Sequence, residues 1–136
     1  MGTRTRKVKK GNYLNYVRKS DEFYRSAEDA TRRGDWSAAV SNAVHSAISA
    51  VDALTVFYAG ERSTAQSRDE TVKLLSTLKM DRVELDRSIK RLSSLLEVKN
   101  LAEYEDRLPA QKDAGAAMRN VERLRRWVLS KLPSPI

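Results

Sequence analysis

Cysteine is absent from the 136 residues, which excludes a disulfide framework and any thiolate metal site. Histidine occurs once. His45 is therefore the only imidazole available as a base, and neither a His-based metal site nor a Ser-His-Asp triad is expected within one chain. No apolar run approaches the roughly 18–20 residues of a membrane span, and no apolar signal region opens the chain. These absences predict a cytoplasmic protein with no membrane contact, no metal and no cofactor. With five glycines and three prolines, punctuation is sparse. There is no Gly-rich phosphate loop, no strand-period alternation and no internal repeat.

What remains reads as helix and connector. Tyr13, Tyr16, Val17, Tyr24, Ala27 and Ala30 recur at three- and four-residue steps, which predicts a first helix from about Asn12 to Arg33. Gly34 ends it, and Asp35 is placed to cap the second. The second helix carries Trp36, Val40, Ala43, Ala47, Val51 and Leu54 on one stripe, and Val44, Ile48 and Val56 on the opposite side. Residues 60–66 turn polar and loop-like. Ser67 is read as the cap of a short helix with Thr71, Leu74, Leu75 and Leu78 inward. Asp81 is read as the cap of a fourth, with Leu85, Ile89, Leu92 and Leu96 inward. After a break between Glu103 and Pro109, a fifth helix presents Ala114, Ala117, Met118, Val121, Leu124 and Val128, with Pro109 in its first turn. The expected fold is all-α: a single-domain up-and-down bundle of four to five helices over residues 12–132. A basic flexible arm at 1–11 precedes it, and a short tail at 133–136 follows.

Charge is unevenly spread. Arg4, Arg6, Lys7, Lys9 and Lys10 supply five of the net eight positive charges within the first ten residues. Such an arm can grip phosphate without sequence preference, or serve only as a solubilising end. Arg119, Arg123 and Arg126 recur along the fifth helix as a second candidate nucleic-acid surface, the bland alternative being a solvated face near a helix C-terminus.

Between Trp36 and Gly60 the only charge is Asp52. A helix apolar almost all round is buried on more than one face, so a carboxylate within it is costly without a partner. One step beyond the inward stripe of the fourth helix stands Lys99, with Asn100 beside it and Tyr104 one turn on. An Asp52–Lys99 contact, direct or through water, is the pairing this pattern suggests. The competing reading places Asp52 at a solvated edge and lets Lys99 snorkel outward.

At these residues the chain resembles the HEPN domains (higher eukaryote and prokaryote nucleotide-binding), helical bundles common in toxin–antitoxin and defence systems. The likeness runs from Tyr13 to Leu132. It rests on Asp35-Trp36 opening a small-residue helix, on HSAISAVDAL from His45 to Leu54, on KNLAEY from Lys99 to Tyr104, and on the Ala-rich last helix. In active HEPN ribonucleases an arginine, often followed by asparagine, precedes a histidine by four to six residues, and two subunits bring these motifs together to cut RNA without metal. By this resemblance Lys99 falls on the arginine, Asn100 on the asparagine, Tyr104 on the histidine and Asp52 on an assisting acid. Lysine lacks the planar fork of arginine, and tyrosine, with a reference pKa near 10, is a poor base at neutral pH. His45 lies on a different helix. The resemblance thus implies a dimeric, non-catalytic module binding RNA, a nucleotide or an antitoxin-like partner. The alternatives are a metal-free ribonuclease using Lys99, Asn100 and Tyr104 with Asp52 or His45 assisting, and a structural nucleic-acid-binding subunit of a larger complex.

Overall fold

The computed structural model describes residues 4–64, 68–104 and 106–133. Five helices carry the architecture: α1 (Tyr13–Arg33), α2 (Trp36–Ala59), α3 (Arg68–Ser76), α4 (Arg82–Tyr104) and α5 (Gln111–Ser130). α2 is the central element, packed chiefly against α1 and α5, with α4 on a further side. Its small residues allow this. Ala39, Ala43, Ala47, Ala50 and Ala53 are buried, and short side chains let neighbouring helices approach closely. The core is completed by Leu85, Leu92 and Leu95 from α4 and by Val121, Leu124 and Val128 from α5. Both apolar sides of α2 are therefore covered within one chain. α2 also reaches the length and mean hydropathy of a membrane-crossing helix, contrary to the sequence expectation, because its many weakly apolar residues add up. Of its most apolar window, 72% is buried inside the bundle.

Two elements depart from the all-helical expectation. Thr5–Lys7 forms a strand, β1, antiparallel to β2 at Glu61–Ser63, with Arg6 opposite Arg62. Val8 N–H donates to Gly60 O at 2.9 Å, and the Thr5 hydroxyl donates to Glu61 Oε1 at 3.0 Å. A short 3-10 turn at Lys10–Asn12 then leads into α1. The segment expected as a flexible arm is thus, from Arg4 onward, built into a ribbon. Its backbone donors and acceptors find partners in the chain leaving α2, a pairing that the local sequence does not announce.

Helix ends follow ordinary rules with some exceptions. Gly34 adopts φ 77° at the end of α1, a left-handed conformation in which glycine avoids the steric cost of a Cβ. Asp35 does not cap α2 with its side chain; its carboxylate instead accepts from Arg33 Nε at 3.1 Å. Asp81 does cap α4, accepting from Glu84 N–H at 3.0 Å. α5 begins at Gln111 rather than at Pro109, and the Asp113 carboxylate reaches back to Ala110 N–H at 2.7 Å. The proposed Ser67 cap lies outside the described residues.

A buried polar staple fixes α1, α2 and α5 together. Ser20 and Ser46 each donate a hydroxyl to the other's backbone carbonyl at 2.8 Å. Arg125 donates Nη1 to Ser20 Oγ at 2.6 Å and Nη2 to Asp21 Oδ1 at 2.6 Å, and its guanidinium lies 4.9 Å from the Tyr24 ring centroid. Charge-assisted bonds of this kind are among the stronger polar contacts in a fold.

Candidate functional site

His45, Ser49 and Asp52 recur at steps of four and three, so they share one face of α2. His45 is exposed, whereas Ser49 and Asp52 are buried. α1 flanks this face with Tyr16, Lys19 and Phe23, and β2 supplies Arg62. These residues, together with Ser49 and Asp52, line an open cavity of about 540 Å³.

Asp52 is 7% exposed. Among the described residues none hydrogen-bonds its carboxylate, and no cation lies within ion-pair distance of it. Burial pushes its pKa up to about 7, while the charges of Arg62 and then Lys19 pull it back. Near neutral pH the group can thus exist as acid or as carboxylate. Arg62 extends past Tyr16, its guanidinium carbon 5.9 Å from the ring centroid, and Lys19 Nζ lies 5.3 Å from the same ring. Arg62 Nε is buried with no hydrogen-bond partner.

The suggested Asp52–Lys99 pair does not form as a direct contact: the charges that act on Asp52 are those of Arg62 and Lys19. Lys99 instead acts on His45, two turns before Asp52 on the same face. Partial burial, and then the Lys99 charge, hold the His45 pKa below the ordinary histidine value. The His45 ring packs against Phe23, centroids 5.2 Å apart. The charge that ends the α4 stripe thus acts near the middle of α2, while β2 and α1 supply the charges that act on Asp52. Asn100 is exposed. Tyr104 lies in the last turn of α4, and its side chain is outside the described residues.

The candidate nucleic-acid residues scatter. Arg4, Arg6, Lys7, Lys9 and Lys10 are exposed along the ribbon and the turn after it. Arg6 faces the same side of that ribbon as Arg62, the two being register partners. On α5, Arg119, Arg123 and Arg126 are exposed, and Arg126 pairs with Glu122 at 2.8 Å. Sequence reasoning missed Lys19 and Arg62 as site residues. Lys19 sits on the solvent side of the α1 pattern, and Arg62 belongs to a segment read as loop, so neither carried a periodic signal. Among the described residues no group of three His, Asp or Glu side chains could hold a metal ion.

The sequence profile of the HEPN domain matches residues 13–132. The chain belongs to the HEPN family. Among solved structures, this HEPN chain is similar to TT1696 from Thermus thermophilus, with a TM-score of 0.67 at 15% identity over 89% of this chain and 98% of that one. At that identity the likeness is one of fold alone. No curated protein sequence matches the chain.

Proposed function

We propose that this HEPN protein binds RNA or a nucleotide at the Asp52 cavity and does not cleave it. The observation that carries this reading is a buried carboxylate without a hydrogen bond among the described residues, lining a cavity with two cations, two aromatic rings and a second acid, Glu22. A nucleobase has the matching chemistry. Its amino and imino edge donates to a carboxylate, its face stacks on Tyr16 or Phe23, and its phosphates meet Lys19 and Arg62, with Arg6 on the same ribbon face. The cavity is within the range that holds small ligands, roughly 300–1,000 Å³. Absence of cleavage follows from Lys99 and Tyr104 standing where the resemblance puts arginine and histidine. The family resemblance, rather than any uncovered side of α2, carries the further proposal of a homodimer; a dilution series by light scattering that finds only monomer removes it.

The test is anisotropy of a labelled RNA oligonucleotide with EDTA present. Lys19→Gln and Arg62→Gln are expected to weaken binding about tenfold each and to flatten its salt dependence. Unchanged binding in both variants rejects the cavity as the site.

One observation favours a second reading. His45 is exposed, and its pKa is lowered by partial burial and then by the Lys99 charge, so its imidazole is neutral at pH 7 and free to accept a proton. A metal-free ribonuclease could use His45 as the base and Lys99 to hold phosphate. RNA left intact by the wild type in EDTA, or cut equally by His45→Ala and Lys99→Ala, rules this reading out.

A further inference from the structure

α4 and α5 carry arginines in matched pairs. Arg87 and Arg91 are four residues apart on α4, and Arg123 and Arg126 three apart on α5, so each pair lies on one helix face. The two faces meet, and all four side chains line a cleft of about 380 Å³ between the helices, with Ser88 and Trp127 contributing to its walls. Arginines on a helical surface ordinarily fan into water or pair with acids. Here Glu122 is engaged by Arg126 at 2.8 Å and Glu84 by Lys131 at 3.1 Å. Among the described residues no acid forms an ion pair with Arg87, Arg91 or Arg123. The cations crowd rather than disperse: burial, and then the charges of Arg123 and Arg87, lower the Arg91 pKa.

The second observation is independent of charge. Ser88 is 1% exposed, and among the described residues its Oγ has no hydrogen-bond partner; the buried Nε1–H of Trp127 has none there either. Leaving a buried donor unpaired costs about 1–3 kcal/mol, and such groups are uncommon in a folded chain. The cleft thus gathers guanidinium forks over two wall residues, Ser88 and Trp127, whose polar atoms are buried and unpaired, with its one lining acid, Glu84, already engaged by Lys131. What complements it is an anion with several acceptor oxygens pointing in different directions. A carboxylate offers two in one plane. A terminal phosphate offers three and up to two charges.

We infer that the α4–α5 cleft of this protein is a binding site for a terminal phosphate, held by Arg87, Arg91 and Arg123 and met from below by Ser88 Oγ and Trp127 Nε1. The site shares no residue with the Asp52 cavity and does not depend on that reading. Nucleoside monophosphates and the 5′-phosphorylated end of an RNA share this chemistry. A backbone diester, with two non-bridging oxygens and one charge, satisfies the cleft less well.

The experiment runs in the Lys19→Gln/Arg62→Gln background, so that ligand at the Asp52 cavity does not contribute. The indole N–H resonance of Trp127 is followed by NMR during titration with AMP, adenosine, and an RNA hexamer with either a 5′-phosphate or a 5′-hydroxyl. AMP or the 5′-phosphorylated hexamer is expected to shift the resonance downfield, and the tighter of the two names the source. Adenosine and the 5′-hydroxyl hexamer should bind at least about tenfold more weakly, as expected from losing a charge-assisted contact. Arg91→Gln should weaken phosphate binding about tenfold or more, and Ser88→Ala by about three- to tenfold. Because Ser88→Ala removes an unpaired buried hydroxyl, its unfolding midpoint should stay level or rise, which separates lost binding from lost folding. A Trp127 resonance unmoved by both phosphorylated ligands overturns the inference. So does an equal response to 5′-phosphate and 5′-hydroxyl RNA, or affinity unchanged in both variants.

Discussion

Around Asp52 the chain brings two cations toward a buried carboxylate. Across α4 and α5 it brings four arginines toward a single lining acid, Glu84, that is already engaged by Lys131. Both clefts sit beside the same apolar core, and both hold polar atoms that lack hydrogen bonds. They differ in which sign is short. In the first, the protein's own charges partly offset the desolvation of the acid, so the acid can titrate near neutrality. In the second, Glu122 engages Arg126, while Arg87, Arg91 and Arg123 have no ion-pair partner among the described residues, so their relief is left to a ligand. A third arrangement, the Arg125 staple, shows what a satisfied arginine looks like in this fold: two short hydrogen bonds, one acid and one aromatic face. The contrast between Arg125 and Arg91 separates an arginine that holds helices together from one that awaits a ligand.

The comparison breaks most visibly at Asp52. Its folded pKa is raised, so the native state binds the proton more tightly than the unfolded chain does. Its contribution to stability is therefore greatest below the unfolded pKa, and is lost as pH rises from about 4 through about 7. Asp52→Asn removes that titration while keeping the shape. The variant should match the wild type near pH 4 and exceed it at pH 8, by up to roughly 4 kcal/mol if the whole shift is realised. Urea unfolding across that range measures it, and a difference independent of pH would show that the carboxyl is not perturbed by burial.

Next in size is Arg125→Ala, which strips the staple of its cation and leaves Ser20 and Asp21 short of a partner. A loss of about 2 kcal/mol is expected from bonds to a charged group, read from the urea midpoint. Arg123→Ala, by contrast, should change stability by less than about 0.5 kcal/mol. Equal losses in the two would erase the distinction between a structural arginine and a ligand-facing one. The smallest effect is at His45. Lys99→Met should raise the His45 pKa toward its ordinary value without reaching it, because partial burial remains. An NMR titration of the single histidine checks this, and an unmoved pKa would separate the two residues.

Much of the bundle was legible in the residues. The periodic apolar faces located α1, α2, α4 and α5 to within a few positions, and Gly34 and Asp81 marked two ends correctly. The ribbon was not legible. Thr5–Lys7 and Glu61–Ser63 are three residues each, too short for alternation to register, and their pairing joins segments far apart in sequence. The site was half legible. Asp52 drew attention because charge is rare in α2, and Lys99 because it ends an apolar stripe, but the pattern suggested each as the other's partner and gave no sign of Arg62 or Lys19.

The sequence by itself determined the class of fold and singled out one acid in an apolar helix, since both rest on local periodicity and on the free energy of removing a charge from water. Only the tertiary structure decided which cations approach Asp52, that Lys99 acts on His45, and that arginines of two helices converge on Ser88 and Trp127. Those outcomes depend on the rotation and register of one packed helix against another, and on a strand pairing of distant residues. No short window of sequence encodes them.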